Sequence, residues 1–486
     1  MLKKEWIVFL VFWCFLTVSS VQAATPEDLV REGMAAEASG DYQMAIDFFK
    51  EAISLKPKYG EAHYRLGEVY AQSGMTQEAI SELKEALRFK YEPLQVRLAL
   101  GLAYYKGGMF EEAEREYNEI LKQTPNNPLI YYSLGDVYLQ KGAYDQATNA
   151  YRQALQLDPN FAKAHKGLGN LFHRQRMFNE AISEFKQAIE LEPNLADTYS
   201  DLGSLYFEMG RYPESVASLE RYVELRPKDA VGHFILAKAY DAQKETQKAL
   251  TAIRKSVELN IRGGEAYGIY YFYAKLATDL KLCDEAMTAY ERVLEIDPSD
   301  PNIWEKLGKV CTEKGISVTD TAKAHQACRK AVEAYCKAME IDTTRTRDLL
   351  FKISLVYYTM GNYEKSIETF TKVIEINPSA AGAYINRALA YSARGTELSK
   401  SNKNTADEYY YKAIADFEKG LKIKPDYLQA WNWLGDHYDF MGTTEKAIKA
   451  YKEVINRAPE SKEAQEATKK IQDIRKRKTK PPTPVW

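Results

Sequence analysis

The chain has 486 residues, of which 45% are hydrophobic and 28% charged, with a formal net charge of −2 at neutral pH. An apolar fraction of that size excludes a disordered chain. A near-neutral balance gives no general attraction for nucleic acid or anionic lipid, so neither is an expected partner.

Lys3 and Lys4 precede an apolar run from Trp6 to Val18, and Ser19–Ala23 reads SSVQA. A positive start, a short apolar stretch and a small-residue end describe a secretory signal peptide over residues 1–23, cleaved after Ala23. The run is shorter than the ~20 residues a spanning helix needs, and an uncleaved anchor over residues 6–21 is the alternative reading. Trp13 beside Cys14 does not fit a lipoprotein site. The expected compartment is the periplasm. Losing Lys3, Lys4 and Glu5 with this segment removes a net charge of +1 and leaves about −3.

From there a single period governs the chain. Ala45, Ala79, Ala113, Ala147 and Ala181 recur every 34 residues, and Pro125, Pro159, Pro193 and Pro227 keep the same step. In the unit from Pro128 to Phe161, Tyr131, Leu134, Gly135 and Tyr138 follow a helical spacing before Gly142. Ala147, Tyr151, Ala154 and Leu155 form a second helical stripe that Pro159 ends. Each unit is therefore two antiparallel amphipathic helices. Small residues such as Gly135 and Ala147 belong where the pair crosses, with aromatics filling the space beside them.

These residues resemble the tetratricopeptide repeat family, which places Leu-Gly and an aromatic in the first helix, then Ala, an aromatic and a closing Pro. The matches include Leu66-Gly67-Tyr70, Leu134-Gly135-Tyr138, Leu202-Gly203-Tyr206 and Leu434-Gly435-Tyr438 in first helices. Ala181-Phe185-Ala188-Pro193 and Ala447-Tyr451-Pro459 match in second helices. The resemblance implies an all-α, right-handed superhelical solenoid of about twelve helix-turn-helix units over residues 24–461.

The register breaks at Gly263-Gly264, and two units carry insertions between their helices, near residues 315–326 and 395–408. Both insertions fall at the same place in the repeat and are expected as loops on one edge. Residues 462–478 read as a capping helix through Ala464, Ala467, Ile471 and Ile474. Residues 479–486, rich in Pro, read as a flexible tail.

No motif for catalysis emerges. P-loop, dinucleotide-turn and nucleophile-elbow patterns are missing from the sequence. His63, His165 and His233 fall at one repeat position and read as packing residues. His325, Cys328 and Cys336 lack a fourth ligand at zinc spacing. No enzyme, metal or cofactor is expected. Cys283, Cys311, Cys328 and Cys336 lie in the eighth and ninth units. Cys311–Cys328 is the candidate disulfide, Cys283–Cys311 its rival, and free buried thiols the alternative.

In the family's superhelix, first helices line the concave face, which implies a groove for a partner protein or peptide. The residues flanking each first-helix packing stripe are Tyr64, Leu98, Leu102, Tyr105, Tyr132 and Asp136. Lys166, Asn170, His173, Phe234, Lys238 and Tyr271 follow, then Lys275, Lys309, Phe351 and Tyr358. Aromatic and basic stations suit an extended peptide. A polysaccharide stacking on Tyr105 and Tyr132 is the alternative ligand. Lys166 and Asn170 match the start of the family's carboxylate clamp, but Asp201, Val231 and Ile235 break it. The expected role is a binding scaffold of the cell envelope, with the membrane reached only by association or by the uncleaved anchor.

Overall fold

A computed structural model describes residues 24–259 and 263–479. The expected signal segment, the tail from residue 480 onward and part of the register break near Gly263 lie outside the described residues. Among the described residues every regular element is a helix. The chain divides into two compact units, one ending at Pro227 and the other beginning at Lys228.

The first unit is six helical hairpins. Helix α1 (Pro26–Ser39) pairs with α2 (Tyr42–Leu55), and α3 (Gly60–Gln72) with α4 (Thr76–Arg88). Next come α5 (Pro93–Lys106) with α6 (Phe110–Leu121), and α7 (Pro128–Lys141) with α8 (Tyr144–Leu157). The pairs α9 (Ala162–Arg174) with α10 (Phe178–Leu191) and α11 (Ala196–Glu208) with α12 (Tyr212–Leu225) complete it.

The second unit holds six more hairpins and a final helix. Its first pairs are α13 (Ala230–Ala242) with α14 (Thr246–Glu258), and α15 (Glu265–Asp279) with α16 (Cys283–Ile296). Then α17 (Pro301–Ser317) pairs with α18 (Thr321–Ile341), and α19 (Thr346–Thr359) with α20 (Tyr363–Ile376). The last pairs are α21 (Ala381–Leu398) with α22 (Lys403–Ile423), and α23 (Leu428–Phe440) with α24 (Thr444–Arg457). Helix α25 (Lys462–Thr479) follows the last hairpin, with Ala464, Ala467, Ile471 and Ile474 on its buried face.

The period has a direct physical meaning. Ala45, Ala79, Ala113, Ala147 and Ala181 are all fully buried at the crossing of their hairpins. Where Ser215 and Ser366 replace the alanine, each hydroxyl donates to a first-helix carbonyl, that of Gly203 at 2.8 Å and Ser354 at 2.9 Å. The first-helix glycine makes room for the residue one turn further along the second helix. A Cβ on Gly135 would fall 2.5 Å from the Tyr151 ring, and one on Gly169 as close to Phe185. The turn between the helices needs a left-handed residue. Gly142 (φ 75°) and Gly210 (φ 71°) supply it, while Arg176 (φ 59°) takes the same position at a conformational cost.

The two insertions are not loops. They lengthen both helices of their hairpins, to 17 and 21 residues in α17 and α18, and to 18 and 21 in α21 and α22. The cause is a second small residue two turns past the crossing. A Cβ on Gly315 would lie 2.4 Å from Cys328 Sγ, and one on Gly395 3.0 Å from the Tyr410 ring. These glycines repeat the close approach and carry the packing outward, so the chain stays helical there.

Candidate functional site: the first-helix faces

Within each unit, successive first helices touch, α7 with α9 and α9 with α11 in one, α19 with α21 in the other. Contacts between successive second helices are weaker. First helices therefore lie on the inner side of each unit's curve, where the candidate residues were placed.

In the first unit most of those residues pack inward. Tyr64 is buried, its hydroxyl donating to Glu68 and its ring 5.6 Å from Tyr91. Tyr105 packs 6.0 Å from Phe110. Tyr132 lies edge-on to Phe161 at 5.7 Å and 6.0 Å from Tyr151. The rings offered for sugar stacking are thus engaged in packing. Leu98 is half-buried in the core of the third repeat, whereas Leu102, one turn on, is 46% exposed.

Asp136 is a packing hub. Tyr151 donates to its carboxylate at 2.6 Å, and burial pushes its pKa upward against that bond. The last repeat repeats the arrangement, with Tyr451 donating to Asp436 at 2.7 Å and Lys470 at 2.8 Å from it. Leu-Gly-Asp in the first helix followed by Tyr in the second was the sequence signal that could have placed Asp136 there.

The clamp fails for a visible reason. Lys166 pairs with Asp201 of the next repeat at 3.4 Å, and Asn170 lies beside the same carboxylate. The cation that would meet a peptide carboxylate is already neutralised. His173 likewise meets Glu208 at 2.8 Å and lies 6.1 Å from Phe178.

In the second unit, Phe234 packs on Phe272 at 5.7 Å, with Lys238 Nζ 5.5 Å from its ring. Tyr271 stacks on Tyr267, and Lys306 donates to its hydroxyl. Phe351 packs edge-on to Phe370 at 5.5 Å and Tyr358 to Tyr363 at 5.6 Å. Lys275 and Lys309 stand exposed at the same repeat position of α15 and α17, Lys309 with only a 3.9 Å approach to Glu313. Beside Lys309, a cavity of about 580 Å³ opens between α17 and α19 over Tyr335. Glu305, Lys306 and Lys352 also line it, residues that the packing pattern alone did not single out. Glu305 bonds both Lys352 and Arg345, which hold its carboxyl below the usual range.

The histidines of the shared repeat position do pack, and His63 and His165 each meet a carboxylate. His63 is buried between Glu82 (2.6 Å) and the Pro57 carbonyl (3.1 Å), and His165 meets Glu184 at 2.7 Å. Burial presses the His63 pKa down, but the Glu82 and Pro57 bonds outweigh it and leave the value raised. His233 is half-buried.

The Cys311–Cys328 disulfide does not form. Among the described residues Cys283, Cys311, Cys328 and Cys336 are all free thiols. The lengthened hairpin sets Cys328 against Gly315, one helical turn beyond Cys311, and within 4.0 Å of Thr359 Oγ1. Burial pushes the Cys311 thiol up to about 12. Among the described residues no group of three or more His, Cys, Asp or Glu could hold a metal ion, and no helix is long and apolar enough to cross a membrane.

Comparison with known proteins fits this architecture. A family model described as TPR repeat matches residues 101–142, 135–175, 178–210, 283–315 and 355–395. Models described as tetratricopeptide repeat match residues 36–94, 200–263 and 428–461. The photosystem I assembly protein Ycf3 of Rippkaea orientalis is 25% identical over 118 residues, 24% of this chain and 68% of that protein. The small glutamine-rich tetratricopeptide repeat-containing protein 2 of Saccharomyces cerevisiae is 31% identical over 117 residues, 24% of this chain and 30% of that one. A solved tetratricopeptide repeat protein from Parabacteroides merdae is 22% identical, covering 49% of this chain and 94% of that one, with a TM-score of 0.41. With a family match in nearly every repeat and the helical hairpins that go with it, the chain belongs to the tetratricopeptide repeat family.

Proposed function

We propose that this protein is a non-enzymatic scaffold that holds an extended segment of a partner protein against its first-helix faces. The observation that carries the reading is the cavity between α17 and α19, bordered by the exposed Lys309 on the inner side of the second unit. An aromatic floor at Tyr335 with ammonium and amide groups around it suits a peptide backbone and its carboxylates. The name of the Ycf3 relatives, an assembly protein, supports a role in building a complex.

The test is site-specific photocrosslinking in living cells. A crosslinker at Leu102 or Lys309 should capture a discrete polypeptide, whereas one at Arg152, exposed on second helix α8, should not. Identical patterns from both faces, or none from either, would sink the proposal. The proposed compartment is the periplasm, reached through residues 1–23. N-terminal sequencing of the mature protein should then begin at Ala24, and a chain retaining residues 6–21 would identify the segment as an anchor.

A further inference from the structure

A cleft on the other side of the second unit has a composition that packing does not require. Second helices α22 and α24 stand apart over first helix α23 and leave a cavity of about 470 Å³. Its floor and end are apolar, formed by Leu421, Leu434, Ala450 and Pro425, with the Trp431 indole as one wall. The indole is fixed in place, because Nε1 donates to the Pro425 carbonyl at 2.9 Å.

The rim carries cations on both sides: Lys422 from α22, and Lys446, Lys449 and Arg457 from α24. The two carboxylates present are engaged, Glu418 by the Tyr438 hydroxyl and Glu453 by Arg457 at 3.2 Å. Lys422 and Lys449 are exposed and make no ion pair among the described residues.

The same chain contains a built-in comparison. Trp304 donates to the Pro298 carbonyl at 2.9 Å and walls an equivalent cleft of about 350 Å³ between α16 and α18. Glu295 there precedes Trp304 by nine residues, as Lys422 precedes Trp431, and Glu333 precedes Tyr335 by two, as Lys449 precedes Tyr451. The fold therefore accepts either sign at these two positions. Only the Trp431 cleft carries lysines there, on opposite walls of an apolar slot.

We propose that the Trp431 cleft is a second binding site, for an acidic protein segment that seats an apolar side chain against the indole and sets carboxylates towards Lys422 and Lys449. Its size suits one such side chain with its flanking backbone. The flanking ammonium groups supply charge complementarity and discriminate against basic segments. The site opens between second helices α22 and α24, over the first helix α23, and stands independently of the groove.

The test titrates the full chain with a fluorescein-labelled peptide alternating Glu and Phe, read by anisotropy. An isomer with Lys in place of Glu is the comparison. The acidic peptide should bind in a salt-sensitive manner, and K422E/K449E should weaken it about tenfold or more. The variant E295K/E333K should add a second binding equivalent, because it recreates the lysine pair beside Trp304. Equal binding of both peptides, no binding of the acidic one, or wild-type affinity in K422E/K449E overturns the assignment. So does loss of binding only in K275E/K309E, which would place the peptide on the first-helix face. Binding restricted to phosphatidylglycerol vesicles would make the ligand a lipid and also overturn it. In the unmutated protein, bound acidic peptide should slow acetylation of Lys422 and Lys449, and unchanged rates refute the site without any variant.

Discussion

Tyr151 makes a sharp prediction because its ring is held between two repeats. The side chain is fully buried, with Gly135 of its own repeat on one side and Gly167 of the next on the other. A Cβ at Gly167 would lie 2.4 Å from Cε1 and 2.7 Å from Cζ of that ring. That is about 1 Å short of a normal carbon contact. The ring cannot retreat, since Gly135 already leaves it only the space of a missing side chain. Overpacking of this kind costs about 1–3 kcal/mol. Moving the ring also strains its 2.6 Å bond to the Asp136 carboxylate, a type of bond contributing about 1.5–3 kcal/mol. Alanine returns about 1 kcal/mol in helix propensity. Gly167→Ala should therefore destabilise the first unit by about 1.5–5 kcal/mol. Because repeats are coupled only to neighbours, the loss should appear as faster amide exchange in α7 to α10 and an earlier, broader melt. Gly268→Ala is the matched control, as a Cβ there meets nothing within 4 Å. It should be neutral or stabilising. If Gly167→Ala behaves like Gly268→Ala, the intercalated-ring argument is wrong.

Arg387 and Asp416 form a two-pronged ion pair at 2.7 and 2.8 Å, with side chains 15% and 10% exposed. Asp416→Ala should cost about 3–5 kcal/mol in urea titrations by stranding the guanidinium, and a loss under 1 kcal/mol would contradict that burial. Arg176→Gly should raise stability by up to about 1 kcal/mol, since the left-handed turn is strained for arginine, and calorimetry showing a lower melting temperature would count against it. Two histidines should respond to pH with opposite signs. His63 has a raised folded value, so its contribution is complete below about pH 6.5 and fades as pH rises through that raised value. The cost of His63→Gln should be larger at about pH 5 than at about pH 8. His437 is lowered, chiefly by burial, so stability falls as pH drops below about 6.5 and the neutral ring must charge. The cost of His437→Gln should be smaller at about pH 5 than at about pH 8, and matching pH profiles for the two variants would refute both assignments.

The repeat was legible because one steric rule is applied at every crossing. A buried Ala every 34 residues can be read without coordinates, and so can the boundaries of most hairpins and the apolar stripe of α25. The extended hairpins were misread for an equally physical reason. Glycine marks a turn when its backbone is left-handed, as at Gly142, and a close helix approach when its missing Cβ is what matters, as at Gly315 and Gly395. The residue type is the same, and only the partner on the opposite helix distinguishes the cases. Cys328 and Tyr410 sit seven residues before Tyr335 and Phe417, the spacing by which Gly315 follows Gly308. That paired offset, two helical turns on both strands of the hairpin, is the signal that separates a longer hairpin from a loop.

The first-helix residues were harder to place, because a position on a helix gives direction but not the reach of its neighbours. Asp136 shares its repeat position with the exposed Leu102, Lys275 and Lys309, yet Tyr151 of α8 bonds to it, while Tyr91 and Phe161, from the connections between hairpins, close over Tyr64 and Tyr132. Lys166 was recognised as a possible carboxylate ligand, and the residue that broke the motif, Asp201, is the one that neutralises it. The missing clamp is thus an occupied one, with the protein's own carboxylate where a peptide's would bind. This has a testable consequence for specificity. Asp201→Asn should free Lys166 while leaving an amide beside Asn170, and the variant should gain affinity for peptides ending in a free carboxylate over their amidated forms. Titration with such a peptide pair reads the difference directly. No preference in the variant would mean that the Lys166–Asp201 pair is not what closes this face to a terminal carboxylate.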